Sequence, residues 1–269
     1  VTVAARSAKV ATVPAIEMRV ATAVRAGSHP HAGEDVDTGF HTHDLHQLQY
    51  AFDGVASVET ATARYLLPPQ QAVWLPAGLP HRTVFRDVRS VSVFFAPELV
   101  ADPGDTARVL AATPVIREMV VYAARWPIYR EASDPVADAY FTALAVLLGD
   151  WLEHEAPLRL PTTTDPLVQA IIDHTDAHLD SVTLDDVCRS VGVSERTLRR
   201  RFADDTGMTW RRYRLESRLL RAMVALAEHH DSVLDVATSV GFDSVSAFSR
   251  AFFQYAGETP TAYRRRVRS

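Results

Sequence analysis

The chain has 269 residues, 28 Lys and Arg against 33 Asp and Glu, and a formal net charge of −5. At 47% hydrophobic and 23% charged residues it reads as one large or two ordinary globular domains, which excludes wholesale disorder and collagen-like or low-complexity chains. A single cysteine, Cys188, excludes an internal disulfide framework and a cysteine-rich zinc module.

Residues 1–17 contain Arg6 and Lys9 but no continuous apolar stretch, so no signal peptide is expected. No apolar run approaches the roughly 18–20 residues of a membrane span. A cytoplasmic protein without membrane contact is the expectation. From about residue 15 to 97, short apolar or alternating runs are separated by Pro, Gly and Asp, among them Leu48–Phe52, Val55–Val58, Arg64–Leu67, Ala72–Leu75, Thr83–Phe85 and Val91–Phe95. Strands this short and this closely punctuated predict an antiparallel sandwich or barrel. From about 105 to 154 the pattern becomes helical. Asp134 is placed as an N-cap with Pro135 at the first helical position, ahead of Tyr140, Leu144, Leu147, Leu148, Trp151 and Leu152 at helical spacing. The predicted helices 106–124 and 134–153 offer a stripe wide enough to pack on the barrel, on a sister subunit in a homodimer, or on both. The stretch from Glu155 to Pro166, with three prolines, three threonines and no periodicity, reads as a linker.

The remainder reads as helical to the C-terminus, broken at Gly192, Gly207, Gly241 and Gly257. Residues 162–269 balance 15 acids against 15 bases, and all of those bases are arginines. They bunch at 196–201, 211–221 and 264–268, so segregation onto one face would make an anion-binding surface without a basic total. The glycines reveal a repeat. Gly192 and Gly241 are 49 residues apart, Gly207 and Gly257 are 50 apart, and between them Leu184 pairs with Val233, Cys188 with Ala237, Ser194 with Ser244, Leu198 with Phe248, Arg200 with Arg250 and Phe202 with Phe252. Each copy has the pattern of a helix-turn-helix, with the glycine in the turn, a serine N-cap and two inward residues four apart. A helix over 210–228 joins the copies. At 1.5 Å per residue it spans roughly 28 Å, close to one DNA turn of about 34 Å.

Residues 166–268 resemble the DNA-binding domain of AraC/XylS-type transcription regulators. The likeness is carried above all by Asp235-Val-Ala, Gly241-Phe-Asp-Ser, Phe248-Ser-Arg-Ala-Phe252 and Gly257-Glu-Thr-Pro260-Thr-Ala-Tyr263-Arg264. The resemblance implies seven helices, two helix-turn-helix units and double-stranded DNA as partner. It also implies base contacts two residues before and after the inward residue of each recognition helix: Arg196 and Arg200 around Leu198, Ser246 and Arg250 around Phe248. Ser194, Arg199, Ser244 and Ser249 are placed at or beside the same surface, where phosphate and sugar contacts position the protein without specifying sequence.

His41-Thr-His43-Asp-Leu-His46-Gln47, seven residues before Gly54, and Leu75-Pro-Ala-Gly78-Leu-Pro-His81 resemble the two motifs of cupins. The resemblance implies that His41, His43, Gln47 and His81 converge in a small β-barrel at the usual metal position, although Gln47 stands where metal-binding cupins usually have glutamate. Three readings remain open: a small-molecule sensor with no obligatory metal; a sensor holding a divalent metal through the three histidines, with His46 or Gln47 assisting; and a metal-dependent cupin enzyme whose helical part is only a scaffold. His29 and His31 read as loop residues. Tyr50 and Trp74, in alternating runs, are candidates for core packing or for lining the effector pocket. The expectation is an α+β chain: a cupin-like sensor and dimerisation domain over 1–154, a linker over 155–165 and an AraC-type DNA-binding domain over 166–269. It is expected to act as a one-component transcription regulator and not as an enzyme.

Overall fold

A computed structural model describes residues 11–12, 24–33, 35–101, 104–111, 113–153, 155–156, 159–228 and 231–268. The expectation for residues 1–17 falls, apart from 11–12, outside the described residues, as does the start of the 15–97 strand region. The strands are β1 (Ala11–Thr12), β2 (Ala26–Ala32), β3 (Val36–Asp37), β4 (His46–Thr60), β5 (Ala63–Leu67), β6 (Gln71–Leu75), β7 (His81–Phe95) and β8 (Arg108–Ala111). Two helices follow, α1 (Pro114–Ala123) and α2 (Pro135–Leu152).

Antiparallel strands β4 and β7, each 15 residues long, run side by side from His46↔Phe95 to Thr60↔His81. Their register shifts between Ala51 and Val55, where Gly54 takes φ 68°. A bulge of this kind bends a strand pair, and the two halves of the ladder recruit different neighbours. The half with Gln47 to Ala51 pairs with β6, which continues into β8, while the matching half of β7 pairs with β2. The other half pairs through β5 on one side and β3 on the other. Two antiparallel sheets thus share one bent ladder, and a cavity opens between them.

Side chains alternate across β4 and β7 with period two. Leu48, Tyr50, Val91, Val93 and Phe95 face outward, where they meet Trp74 of β6 and are covered by Ile116, Val120, Phe141, Leu144, Leu148 and Leu152. Asp134 caps α2 by accepting from the Val136 and Ala137 amides, with Pro135 at its start. By length and composition alone α2 passes as a candidate membrane crossing, as core helices of this length also do. In this fold its apolar residues divide between a face buried on the barrel and an exposed row containing Val136, Val146 and Leu147.

Two stretches differ from expectation. The 106–124 segment begins as strand β8, which pairs with β6 before α1 starts. The stretch read as a linker contains β9 (Glu155–Ala156), paired with β8, and β10 (Arg159–Pro161), paired with β5. Prolines push the preceding residue to extended backbone as readily as they break helices, and Leu160 ahead of Pro161 is almost fully buried.

The helical part comprises α3 (Pro166–Ala177), α4 (Leu184–Val191), α5 (Glu195–Thr206), α6 (Trp210–Glu228), α7 (Val233–Ser239), α8 (Val245–Ala256) and α9 (Pro260–Val267), the seven that the family resemblance implied. Capping boxes at Thr183 with Asp186, and at Ser232 with Asp235, open the first helix of each unit. Ser194 and Ser244 cap the second helices. Leu198, Phe202, Phe248 and Phe252 are wholly buried, and Cys188 and Ala237 pack as small residues inside. The apolar core of this part is continuous with buried residues of the barrel, Leu160 among them. Asp176 of α3 links them further: it accepts from Arg64 of β5 at 2.7 Å and from the Tyr213 hydroxyl of α6 at 2.8 Å.

Candidate functional site

On α5 and α8 the helical angle sorts the side chains. Residues two positions either side of an inward residue lie about 200° around the helix, pointing away from the core. Arg196 and Arg200 flank Leu198 in this way, and Ser246 and Arg250 flank Phe248; all four are exposed. Among the described residues none of the three arginines has a protein hydrogen bond or ion pair, so their guanidinium groups are available to a ligand. Arg199 is exposed and paired with Glu195 at 3.0 Å, one turn back. Ser194 and Ser244 use their hydroxyls on the Thr197 and Ala247 amides. Ser249 is half-buried at the flank.

The second arginine bunch departs from the surface reading. Arg214 donates to the Val182 carbonyl at 2.7 Å, and Arg221 to that of Asp176 at 2.9 Å. Arg218 donates to the carbonyls of Leu179, Asp180 and Gly241 at 2.8, 2.9 and 2.8 Å. These side chains staple loops to α6. Arg201 pairs with Asp165, and Arg266 with Glu258. The connecting helix α6 is unbroken over its 19 residues and is anchored by Trp210, Tyr213, Leu219, Leu220, Met223 and Leu226.

The second site is the barrel cavity, about 190 Å³, which holds the first sequence-predicted set together. One ring nitrogen from each of His41, His43 and His81 lies within 4.8 Å of the others. The three rings share an arrangement. His41 Nδ1 donates to Gly39 O at 3.0 Å, His43 Nδ1 to Leu45 O at 2.7 Å and His81 Nδ1 to Leu79 O at 2.9 Å. A carbonyl can only accept, so each neutral ring carries its proton on Nδ1 and its lone pair on Nε2. The backbone secures the pair at the mouth: His41 and His81 exchange both amide-to-carbonyl bonds, at 2.9 and 3.0 Å. His81 Nε2 is buried without a partner. Burial pushes the His81 imidazole down to about 3 and also lowers His43, so both are neutral near pH 7.

Gln47 joins the histidines. The two ends of its amide lie 2.9 Å from His43 Nε2 and 2.8 Å from Ser92 Oγ. With its proton on Nδ1, His43 Nε2 can only accept, so the amide nitrogen donates to it and the amide oxygen accepts from the Ser92 hydroxyl. Gln49, two residues on and fully buried, also lines the cavity, its amide 3.4 Å from that of Gln47.

Three candidates are not brought into this cavity. Tyr50 and Trp74 are fully buried on the opposite face of the sheet, under α1 and α2, because their positions alternate with Gln47 and Gln49 along paired strands. His46 is on that side too, its ring 5.1 Å from Trp74 and its Nδ1 accepting from the Ala77 amide. Conversely, His29 and His31, read as loop residues, sit on β2 and line the cavity, with His31 stacked 4.6 Å from Phe85. Their spacing of two, like that of His41 and His43, was the signal; Pro30 between them concealed the strand.

Two family models match the chain. Residues 28–135 match the family "AraC-like ligand binding domain", and residues 187–266 match a "Helix-turn-helix domain" family. The chain is similar to HTH-type transcriptional regulator NimR of Escherichia coli (strain K12), 29% identical over 238 residues, which cover 87% of this chain and 85% of that protein. It is similar to HTH-type transcriptional activator RhaR of the same strain, 33% identical over 133 residues, covering 49% of this chain and 47% of that protein. Among solved structures, the DNA-binding domain of AdpA in complex with a target DNA is 30% identical, with a TM-score of 0.37, and covers 39% of this chain and 95% of that one.

Proposed function

Since this chain belongs to the AraC-type transcription regulators, with a ligand-binding domain ahead of its helix-turn-helix DNA-binding domain, we propose that a divalent transition metal at His41, His43 and His81 controls how it reads DNA. In this reading Arg196 and Arg200 of one unit, and Ser246 and Arg250 of the other, contact base edges in the major groove, while Ser194, Arg199, Ser244 and Ser249 position the backbone. An arginine can donate two bonds to guanine O6 and N7, worth roughly 1–3 kcal/mol of discrimination.

The observation that carries the metal reading is the shared tautomer. Three buried or half-buried rings give their Nδ1 protons to backbone carbonyls, so each Nε2 is left as an acceptor; ring nitrogens of the three lie within 4.8 Å of one another, His81 Nε2 is buried without a partner, and His43 Nε2 has the Gln47 amide beside it. A backbone carbonyl on the distal nitrogen is the usual support for a metal-bound histidine. Three imidazoles suit zinc, iron or nickel by ligand type. When bound, the metal supplies binding free energy that favours the folded barrel and ties the 39–45 loop to β7. The chain's own residues fix the ring tautomers.

The sensor domain is assigned to 1–154, the connecting segment to 155–165 and the DNA-binding domain to 166–269. The protein is assigned to the cytoplasm as a homodimer, its second copy on the exposed row of α2, where Val136, Val146 and Leu147 are 62%, 71% and 39% exposed. The relatives' names support a regulator over an enzyme. The test is metal analysis of untagged protein together with DNA-binding titrations against its own upstream region, with metal and after chelation. One metal per chain, lost in His41→Ala/His43→Ala, and DNA affinity that changes on chelation are expected. Metal content unaltered by that double substitution overturns the assignment.

A further inference from the structure

On α8 the stripe that holds Ser246, Ser249 and Arg250 ends in an aromatic ring. At about 100° per residue, Phe253 lies about 20° around the helix from Ser246 and about 60° from Arg250, so the four residues share one outward face. Phe253 is 54% exposed and, among the described residues, no other ring packs on it. The inward side of the helix is served by Phe248 and Phe252, both wholly buried, so the core does not need a third ring. Apolar surface turned to water stabilises nothing until a partner covers it.

The internal repeat marks this position as particular to the second unit. The offset that pairs Arg200 with Arg250 pairs Ala203 with Phe253. The first face therefore has two arginines and a methyl group, and the second has a serine, one arginine and a ring. Arginine in the major groove matches guanine, whereas an apolar side chain there matches the C5 methyl group of thymine. Cα–Cβ bonds tilt toward a helix's N-terminus, which directs Phe253 back toward the turn of Arg250. The two residues are about 4.5 Å apart along the axis, a little more than one base-pair step of about 3.4 Å.

We infer that Phe253 is a specificity-determining residue of the second helix-turn-helix unit, and that it reads the methyl group of a thymine within about two base pairs of the base read by Arg250. This rests on the reading of Ser246 and Arg250 as base contacts. The two units then read unlike half-sites, one through hydrogen bonds alone and the other through hydrogen bonds and an apolar contact.

The experiment selects the tightest duplex for the full-length wild-type chain from a randomised library. Its thymines are then replaced one at a time by deoxyuridine, which removes only the methyl group. One replacement should weaken wild-type binding about fourfold, the worth of one buried methyl group. Phe253→Ala should bind the thymine and deoxyuridine duplexes equally, while keeping the preference that Arg250 confers, which also shows that the variant is folded. Phe253→Leu, which keeps an apolar tip, should retain part of the difference. Arg250→Ala locates the reference base, where preference relaxes. Deoxyuridine effects that are identical in the wild type and Phe253→Ala, or absent from the wild type, overturn this inference; if Arg250→Ala still relaxes one position, the base-contact reading stands. If Arg250→Ala changes no preference either, both fall.

Discussion

Gly192 and Gly241 occupy matching turns of the two helix-turn-helix units, at φ 69° and 83°, yet replacing them with alanine should have unequal effects. At Gly192 an added Cβ meets nothing within 4 Å. The cost there is the left-handed backbone alone, about 1–2 kcal/mol for an L-residue. At Gly241 the same Cβ would stand 2.0 Å from the Asp180 carbonyl and 2.5 Å from an Arg218 guanidinium nitrogen. Something must move, and Arg218 is what ties Leu179, Asp180 and Gly241 together through three carbonyls. Bonds from a charged donor are worth about 1.5–3 kcal/mol each when well shielded. Arg218 is half-buried, so losing one or two adds roughly 2–3 kcal/mol. Gly241→Ala should therefore cost about 3–5 kcal/mol against about 1–2 for Gly192→Ala, read from urea unfolding midpoints at constant slope. An Arg218→Ala background should shrink the Gly241 effect, since part of the clash and all three bonds are already gone. Equal destabilisation at the two glycines, within about 0.5 kcal/mol, would refute the packing argument.

Arg200→Ala and Arg250→Ala should each relax preference at one base position, by about 1–3 kcal/mol, in competition against randomised duplexes; Arg199→Ala should instead weaken all sequences and lower the salt slope by about one. Unchanged preference in the first two variants would remove them from the base-reading set. Trp74→Ala should cost about 3–5 kcal/mol of stability and leave zinc stoichiometry intact, because Trp74 is on the far side of the sheet from the histidines; loss of zinc from a variant still folded by circular dichroism would contradict that placement. Val146→Asp with Leu147→Asp should lower the mass seen in sedimentation from dimer to monomer, and an unchanged dimer would move the interface elsewhere. The Arg82 guanidinium holds the Asp37 carboxyl at about 2 instead of the usual 3.8. Between those values the unfolded chain binds the extra proton, so this pair's contribution is complete above pH 3.8 and is lost as pH falls through 2. Asp37→Asn should flatten acid destabilisation in that window, and an acid limb identical to wild type would show that the pair contributes nothing.

The helical half was legible because its punctuation is local. A serine cap, an inward residue, a second one four positions on and a glycine specify a short helix whatever surrounds it. The duplication then doubled each signal. What the repeat could not convey is that its copies are unequal in context. Gly192 faces open space and Gly241 faces a loop held by Arg218, a residue the sequence grouped with surface arginines. An arginine on α6 looks the same in sequence whether its guanidinium meets phosphate or the carbonyls of a loop 39 residues upstream. The 155–165 stretch misled for a related reason: β10 gains its place from β5, about a hundred residues earlier, and a proline-rich strand has no periodicity of its own.

In the barrel, the deciding variable is parity, which local pattern leaves undetermined when both faces of a strand are buried. On β4 the order Gln47, Leu48, Gln49, Tyr50 alternates polar and apolar residues. The usual assignment would turn the apolar pair inward and the polar pair to solvent. Here α1 and α2 cover the outer face, so Leu48 and Tyr50 are buried there, and the glutamines enclose the cavity. The inversion is what makes a sensor possible. A barrel whose interior carried Tyr50 and Trp74 would be filled by them, whereas one that turns amides, hydroxyls and imidazoles inward must satisfy those groups with something bound. The helices that supply the outer apolar cover also carry the exposed row of α2. The residues that free the barrel interior for a ligand are therefore the ones that hold the proposed dimer surface in place, so a change at Tyr50 or Trp74 should disturb assembly before it disturbs binding.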